Sequence, residues 1–153
     1  MIKLFFFIIF FKFIFLQNLF AETLANCGAS KGISYYPYSG MNLKKNSGFI
    51  DDQISDGIVT LTKQGDKYDI LFKDASGVLS SSTQDGADIY PIILNQESIA
   101  LVSIYPGTAL EIYSFWKEND GSIRYSLQTS RHGNPLISKS SLLVGDCSFL
   151  YIR

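Results

Sequence analysis

Past residue 31 the apolar positions come in short runs split by turn-forming residues, and no long stretch carries the i, i+3, i+4, i+7 stripe of a helix. The pattern predicts strands. Residues 58–63 and 67–73 flank Gln64-Gly65-Asp66, a compact hairpin that puts Tyr68, Ile70 and Phe72 on one face. A second hairpin is expected where Trp116-Lys117 and Ile123 bracket a loop containing Asp120-Gly121, a strong turn signal. The strand after it alternates, with Ile123, Tyr125, Leu127 and Thr129 on one side and Arg124, Ser126, Gln128 and Ser130 on the other. Residues 99–105 are apolar at both parities except Ser103, the pattern of a strand covered on both sides, and they are the expected centre of the fold. Further strands at 34–38, 77–81, 88–94, 110–116 and 139–144 bring the number to about nine. Short sequential links favour an antiparallel meander. The expectation is an all-β fold, closed into a small barrel to remove exposed edges, with a two-sheet β-sandwich as the alternative. Pro91 and Pro106 suit strand starts or edges. Residues 38–56, rich in Gly, Asn, Lys and Asp, read as a long loop of the kind that often carries binding sites.

The N-terminus has a different texture. Met1, Ile2 and Lys3 precede an apolar run broken only by Lys12, then Gln17-Asn18 and a small residue, Ala21. Charge, apolar core and small-residue end, in that order, predict a secretory signal peptide over residues 1–21, with a second cleavage point after Ala25. An uncleaved membrane anchor is the competing reading. It is disfavoured because residues 4–20 fall short of the roughly 20 apolar residues a span needs, and because a mid-run lysine costs roughly 3 kcal/mol on insertion. An outer-membrane barrel fits poorly too, since Ser80-Ser81-Ser82, Thr60 and Thr62 are too polar for a lipid face.

Setting that segment aside changes the composition. It holds most of the 12 Phe, while all nine Tyr and the single Trp follow it. What remains, residues 22–153, is enough for one core and too little for two, so a single β domain is expected. Without Lys3 and Lys12 the 13 basic residues become about 11 against 14 acidic ones, a net near −3 with no basic cluster beyond Lys44-Lys45. Nucleic acid is excluded as a partner on that charge pattern.

Cys27 and Cys147 lie 120 positions apart near the two ends of the domain. In an oxidising compartment such a pair is expected to form a structural disulfide tying first strand to last. A metal site would need two more ligands, and His132, the lone histidine, has no partner at zinc-ligand spacing. The stretch Leu24-Ala25-Asn26-Cys27 resembles a lipoprotein lipobox, but Asn26 is out of place there, the apolar run stops too early, and lipidation would strand Cys147.

Five segments together, Cys27-Gly28-Ala29-Ser30-Lys31-Gly32, Asp69-Ile70-Leu71-Phe72-Lys73-Asp74-Ala75, Ile104-Tyr105-Pro106-Gly107, Tyr113-Ser114-Phe115 and Asp146-Cys147, resemble a group of small, uncharacterised exported bacterial proteins. The resemblance spans the whole chain after the leader. It implies bacterial export, to periplasm or medium, and a terminal cysteine pair, and it carries over no catalytic residue.

Candidate chemistry is thin. Gly28-Ala29-Ser30-Lys31-Gly32 matches the Gly-x-Ser-x-Gly elbow of hydrolases, which would make Ser30 a nucleophile. An elbow needs a buried strand before the serine and a helix after it, and neither is expected here. Asp51-Asp52 and Asp85-x-x-Asp88 fit no Ca²⁺ loop. Tyr36, Tyr38, Tyr113 and Trp116 offer aromatic contact area for a sugar or peptide, against the plainer reading of core packing. His132, in the expected turn Arg131-His132-Gly133-Asn134-Pro135, is a further candidate binding residue, against the plainer reading of a solvated loop side chain. With no metal set, no phosphate loop and no cofactor motif, the sequence favours a non-catalytic binding module for a protein, peptide or small ligand. The alternatives are a small hydrolase using Ser30 and a structural or lipid-anchored envelope protein.

Overall fold

The structure is a computed structural model that describes residues 21–73, 77–133 and 137–152. The expected signal peptide, up to residue 20, lies outside the described residues. The described chain contains ten strands and one short 3-10 turn, Lys44–Asn46. The strands are β1 (Glu22–Tyr36), β2 (Gly48–Ile54), β3 (Ile58–Gln64), β4 (Lys67–Lys73), β5 (Leu79–Ser81), β6 (Asp88–Leu94), β7 (Ser98–Tyr105), β8 (Ala109–Lys117), β9 (Ile123–Arg131) and β10 (Lys139–Leu150).

All the pairings are antiparallel, and they form one sheet in the order β5-β4-β3-β1-β10-β9-β8-β7-β6. Laid flat, nine strands about 4.8 Å apart would separate the two edges by about 38 Å. The six residues between β5 and β6 can reach only about 20 Å. The sheet therefore curls into a half-barrel. That link is pinned to β4 by Asp69, whose carboxylate accepts from the Ser81 hydroxyl (2.6 Å) and the Thr83 amide (3.1 Å). No ladder joins β5 to β6, so closure falls short of the complete barrel, and no second sheet exists to make a sandwich among the described residues.

The long first strand makes this topology work. Its first half pairs with β3, its second half with β2, and its other edge with β10 along nearly its whole length. The first and last strands thus lie side by side in the middle of the sheet. Cys27 and Cys147 face each other in that pairing and are disulfide-bonded, as expected. Their Cα atoms are 3.8 Å apart, and the register of the two strands shifts on either side of the pair.

Three expectations change. The first strand begins at Glu22, not at residue 34, and the supposed long loop 38–56 contains β2. Residues 99–105 lie in β7, next to the edge rather than central: Ile99, Leu101 and Ser103 are buried, and on the other parity Ala100 is buried but Ile104 is exposed. The β4 and β9 stripes face inward as read. Tyr68 and Ile70, Tyr125 and Leu127 join Leu61, Leu101, Tyr113 and Phe115 in the core of the concave side. Gly145 on β10 is required by that curl, since a Cβ there would meet the Tyr125 ring at 2.5 Å and the Ala29 carbonyl.

Candidate functional site

The cross-strand register sorts the concave face into layers. In the apolar layer, Leu143, Leu127, Tyr113 and Leu101 lie side by side across β10, β9, β8 and β7. One step along, the layer turns polar: Ser34, Ser141, Thr129, Glu111 and Ser103 are consecutive neighbours across β1, β10, β9, β8 and β7, and all are buried. The following layer, at the open end, carries Lys139 opposite Arg131.

Two ion pairs connect these layers. Lys139 Nζ lies 2.8 Å from Asp52 Oδ2, which also accepts from the Ser34 hydroxyl at 2.5 Å; Ser34 shares a second hydrogen bond with Ser141 at 2.6 Å. Burial pushes the Asp52 carboxyl up, but hydrogen bonds from Lys139 and Ser34 and the lysine's charge outweigh that and hold it below the ordinary value of 3.8. In the second pair the carboxylate is more deeply set and the cation more exposed. Arg131 Nη2 donates to Glu111 Oε1 at 2.9 Å, and the Tyr113 hydroxyl donates to Glu111 Oε2 at 2.8 Å. Burial first, then the neighbouring Glu111 charge, raises the Tyr113 phenol well above 10. Tyr105 beside them is pushed up to about 12, mainly by burial, so both phenols stay protonated. Burial alone would lower the Arg131 pKa, yet the Glu111 hydrogen bond and charge more than offset it.

A cavity of about 60 Å³ lies against this second pair, walled by Glu111, Tyr113 and Arg131 and by the apolar Ile54, Phe72 and Leu127. Arg131 also borders a more open cleft of about 140 Å³ with Asp85, Tyr105 and Thr108. On the Lys139 side an open groove of about 440 Å³ is lined by Tyr36, Met41, Asn42, Ile50 and Ile137. Residues 38–47, the remaining loop, thus form one lip of the mouth, tied to Pro37 and Ser138 carbonyls by the Asn42 amide.

The aromatic candidates do not form one platform. Tyr36 is half-buried at the mouth, with Lys139 Nζ 5.8 Å from its ring centre and its hydroxyl donating to Asp52 at 3.4 Å. Tyr38 is exposed nearby. Tyr113 lies 2% exposed in the interior, where its hydroxyl serves Glu111. Trp116 pairs with Arg124 at the far end of β8, seven residues or about 23 Å from the mouth, and borders a separate hollow with residues 117–120. His132 is exposed at the rim, 3.3 Å from the Ser140 hydroxyl. Ser30 lies within β1, opposite Gly145, buried beside the Tyr125 phenol. Extended on both sides, it has neither the sharp turn nor the helix of an elbow. No group of three or more His, Cys, Asp or Glu side chains suited to a metal exists among the described residues.

The sequence pattern did not single out Glu111, Arg131 or Lys139, and it presented Asp52 only as half of the Asp51-Asp52 pair. The signal was present for the first two, since Glu111 and Arg131 fall on the inward parity of strands otherwise filled by Tyr113, Phe115, Tyr125 and Leu127. No family model, curated protein or solved structure matches the chain.

Proposed function

We propose that this chain is an exported, non-catalytic binding module that receives its ligand or partner at the polar mouth of the half-barrel. The observation that carries the reading is the buried Glu111 carboxylate, 3% exposed and paired with an Arg131 side chain that is 47% exposed, set in a row of serine and threonine hydroxyls on the concave face. A carboxylate is costly to bury and is kept inside only with a partner, so an apolar residue would fill the same place at less cost. Local departures from good core packing are expected where a site does work. Export is supported by the disulfide, which persists in oxidising compartments. Among the described residues no helix is long and apolar enough to cross a membrane. The apolar leader with its Ala21 end adds the sequence argument.

The test is affinity capture from periplasm or culture medium with the purified oxidised protein. Saturable capture of one partner, lost in Lys139→Ala and retained in Trp116→Ala, supports the mouth. Capture that survives Lys139→Ala and fails with Trp116→Ala moves the site to the other end. Turnover of a hydrolase substrate panel that Ser30→Ala abolishes replaces the reading with an enzyme.

A further inference from the structure

Glu111 is the only buried carboxylate among the described residues, and its ion pair is lopsided. Its side chain is 3% exposed, whereas that of Arg131 is 47% exposed. A guanidinium that swings out is solvated at once, but the carboxylate it leaves cannot stay buried without another cation. The replaceable member of the pair is therefore the cation. Directly opposite Glu111 in register stand Thr129 on β9 and Ser103 on β7. Both are at least nine-tenths buried, and neither hydroxyl has a hydrogen-bond partner. Native structures rarely leave such groups unmet.

The neighbouring spaces point the same way. Arg131 walls both the inner cavity and the outer cleft, so it separates them, and its displacement would open the interior to solvent. The outer cleft carries Asp85, which favours an approaching cation, together with Tyr105, which stays neutral. The inner cavity is mostly apolar beyond Glu111. At roughly 10–15 Å³ for each water-sized group, its 60 Å³ takes a tail of about four heavy atoms. Lys73 on its far rim opposes a second positive charge.

Resting on the mouth as the binding site, we propose that Glu111 takes the head group of a small primary monoamine with a short apolar tail, which enters by displacing Arg131. An ammonium group has three N–H donors; Glu111 on the cavity wall accepts directly, and the unpartnered hydroxyls of Thr129 and Ser103 flank it in register on the neighbouring strands.

The experiment is an NMR titration of the oxidised protein with n-butylammonium chloride, sodium butyrate and n-butanol at matched ionic strength. Saturable shifts centred on β7, β8 and β9 are expected for butylammonium, with butyrate and butanol at least tenfold weaker. Glu111→Gln keeps the side-chain volume, leaves Arg131 in solvent, and should weaken butylammonium at least tenfold. Arg131→Ala should tighten it; if that variant fails to fold, Glu111→Gln carries the test alone. Butyrate or butanol binding there in place of butylammonium overturns the cation assignment while leaving the mouth as a site. No saturable shift with any of the three overturns the inference, and the partner capture then decides the wider reading independently. Undiminished butylammonium binding by Glu111→Gln also overturns it.

Discussion

Asp52 shows how the mouth is held by single contacts. Its carboxylate takes hydrogen bonds from Ser34, Lys139 and its neighbour's backbone amide, Gln53 N, so the charged form is favoured in the fold. A folded pKa below the unfolded value makes the contribution complete above the unfolded carboxylate's pKa, and drains it as pH falls through the lower folded value. Urea unfolding midpoints should therefore drop from pH 5 toward pH 2–3 more steeply in the wild type than in Asp52→Asn. At pH 7 the variant should be less stable by about 1 kcal/mol, the upper range for pairs with some exposure, because Lys139 loses its partner. Parallel midpoint curves for the two proteins over that range would show that Asp52 is not held in its charged form. The same residue also shows why the mouth was hard to read in the sequence. Asp51-Asp52 looks like a solvated loop pair, and only the pairing of β2 with β1 turns Asp52 toward Ser34 and Lys139 while Asp51 stays exposed.

Strands whose patterns matched local rules were legible, and those made by tertiary partners were not. The strands at 67–73 and 88–94 coincide with β4 and β6, and the Asp-Gly turn joins β8 to β9. The part of β1 before residue 34 escaped notice because Gly28, Ser30, Lys31 and Gly32 break any period of two; its pairing is set by β10 on one side and by β3 and then β2 on the other. β2 escaped because Phe49 and Ile50 are adjacent and both exposed, so no inward stripe marks it. Glycine positions give a test of the curl at this scale. Gly145→Ala should cost about 1–3 kcal/mol, as overpacking does in a filled interior, because the new methyl meets the Tyr125 ring and the Ala29 carbonyl. Gly28→Ala, in the partner strand, meets nothing within 4 Å and should be close to neutral. Thermal or urea denaturation of the two variants compares them, and equal stability would mean β1 and β10 do not approach as closely as the curl requires.

For the whole molecule, one cross-link and the proposed cleavage point bear on whether the half-barrel survives. The disulfide joins the two strands at the middle of the sheet and closes nearly the whole described chain into a loop. Replacing Cys27 and Cys147 by Ser should cost roughly 2–5 kcal/mol, a large part of the 5–15 typical of a domain. Free-thiol assay of the native protein should find none, and two free thiols would remove the staple. The proposed processing is constrained by the same central strand. Cleavage after Ala25 would take away Leu24 and Ala25, 5% and 0% exposed, together with the pairing of Glu22, Thr23 and Ala25 with Lys63, Thr62 and Leu61. It would also remove the Leu24 carbonyl that receives the Tyr151 amide at 2.7 Å near the other end of the domain. Burying one leucine is worth roughly 1.5–3 kcal/mol, so the shorter product should be measurably less stable before any lost backbone pairing is added. Of the two small-residue sites, the fold thus favours the one after Ala21. Mass spectrometry of exported protein should find an N-terminus at Glu22, and chain starting at Asn26 as the stable, abundant species would show that the first turn of β1 contributes nothing to the core.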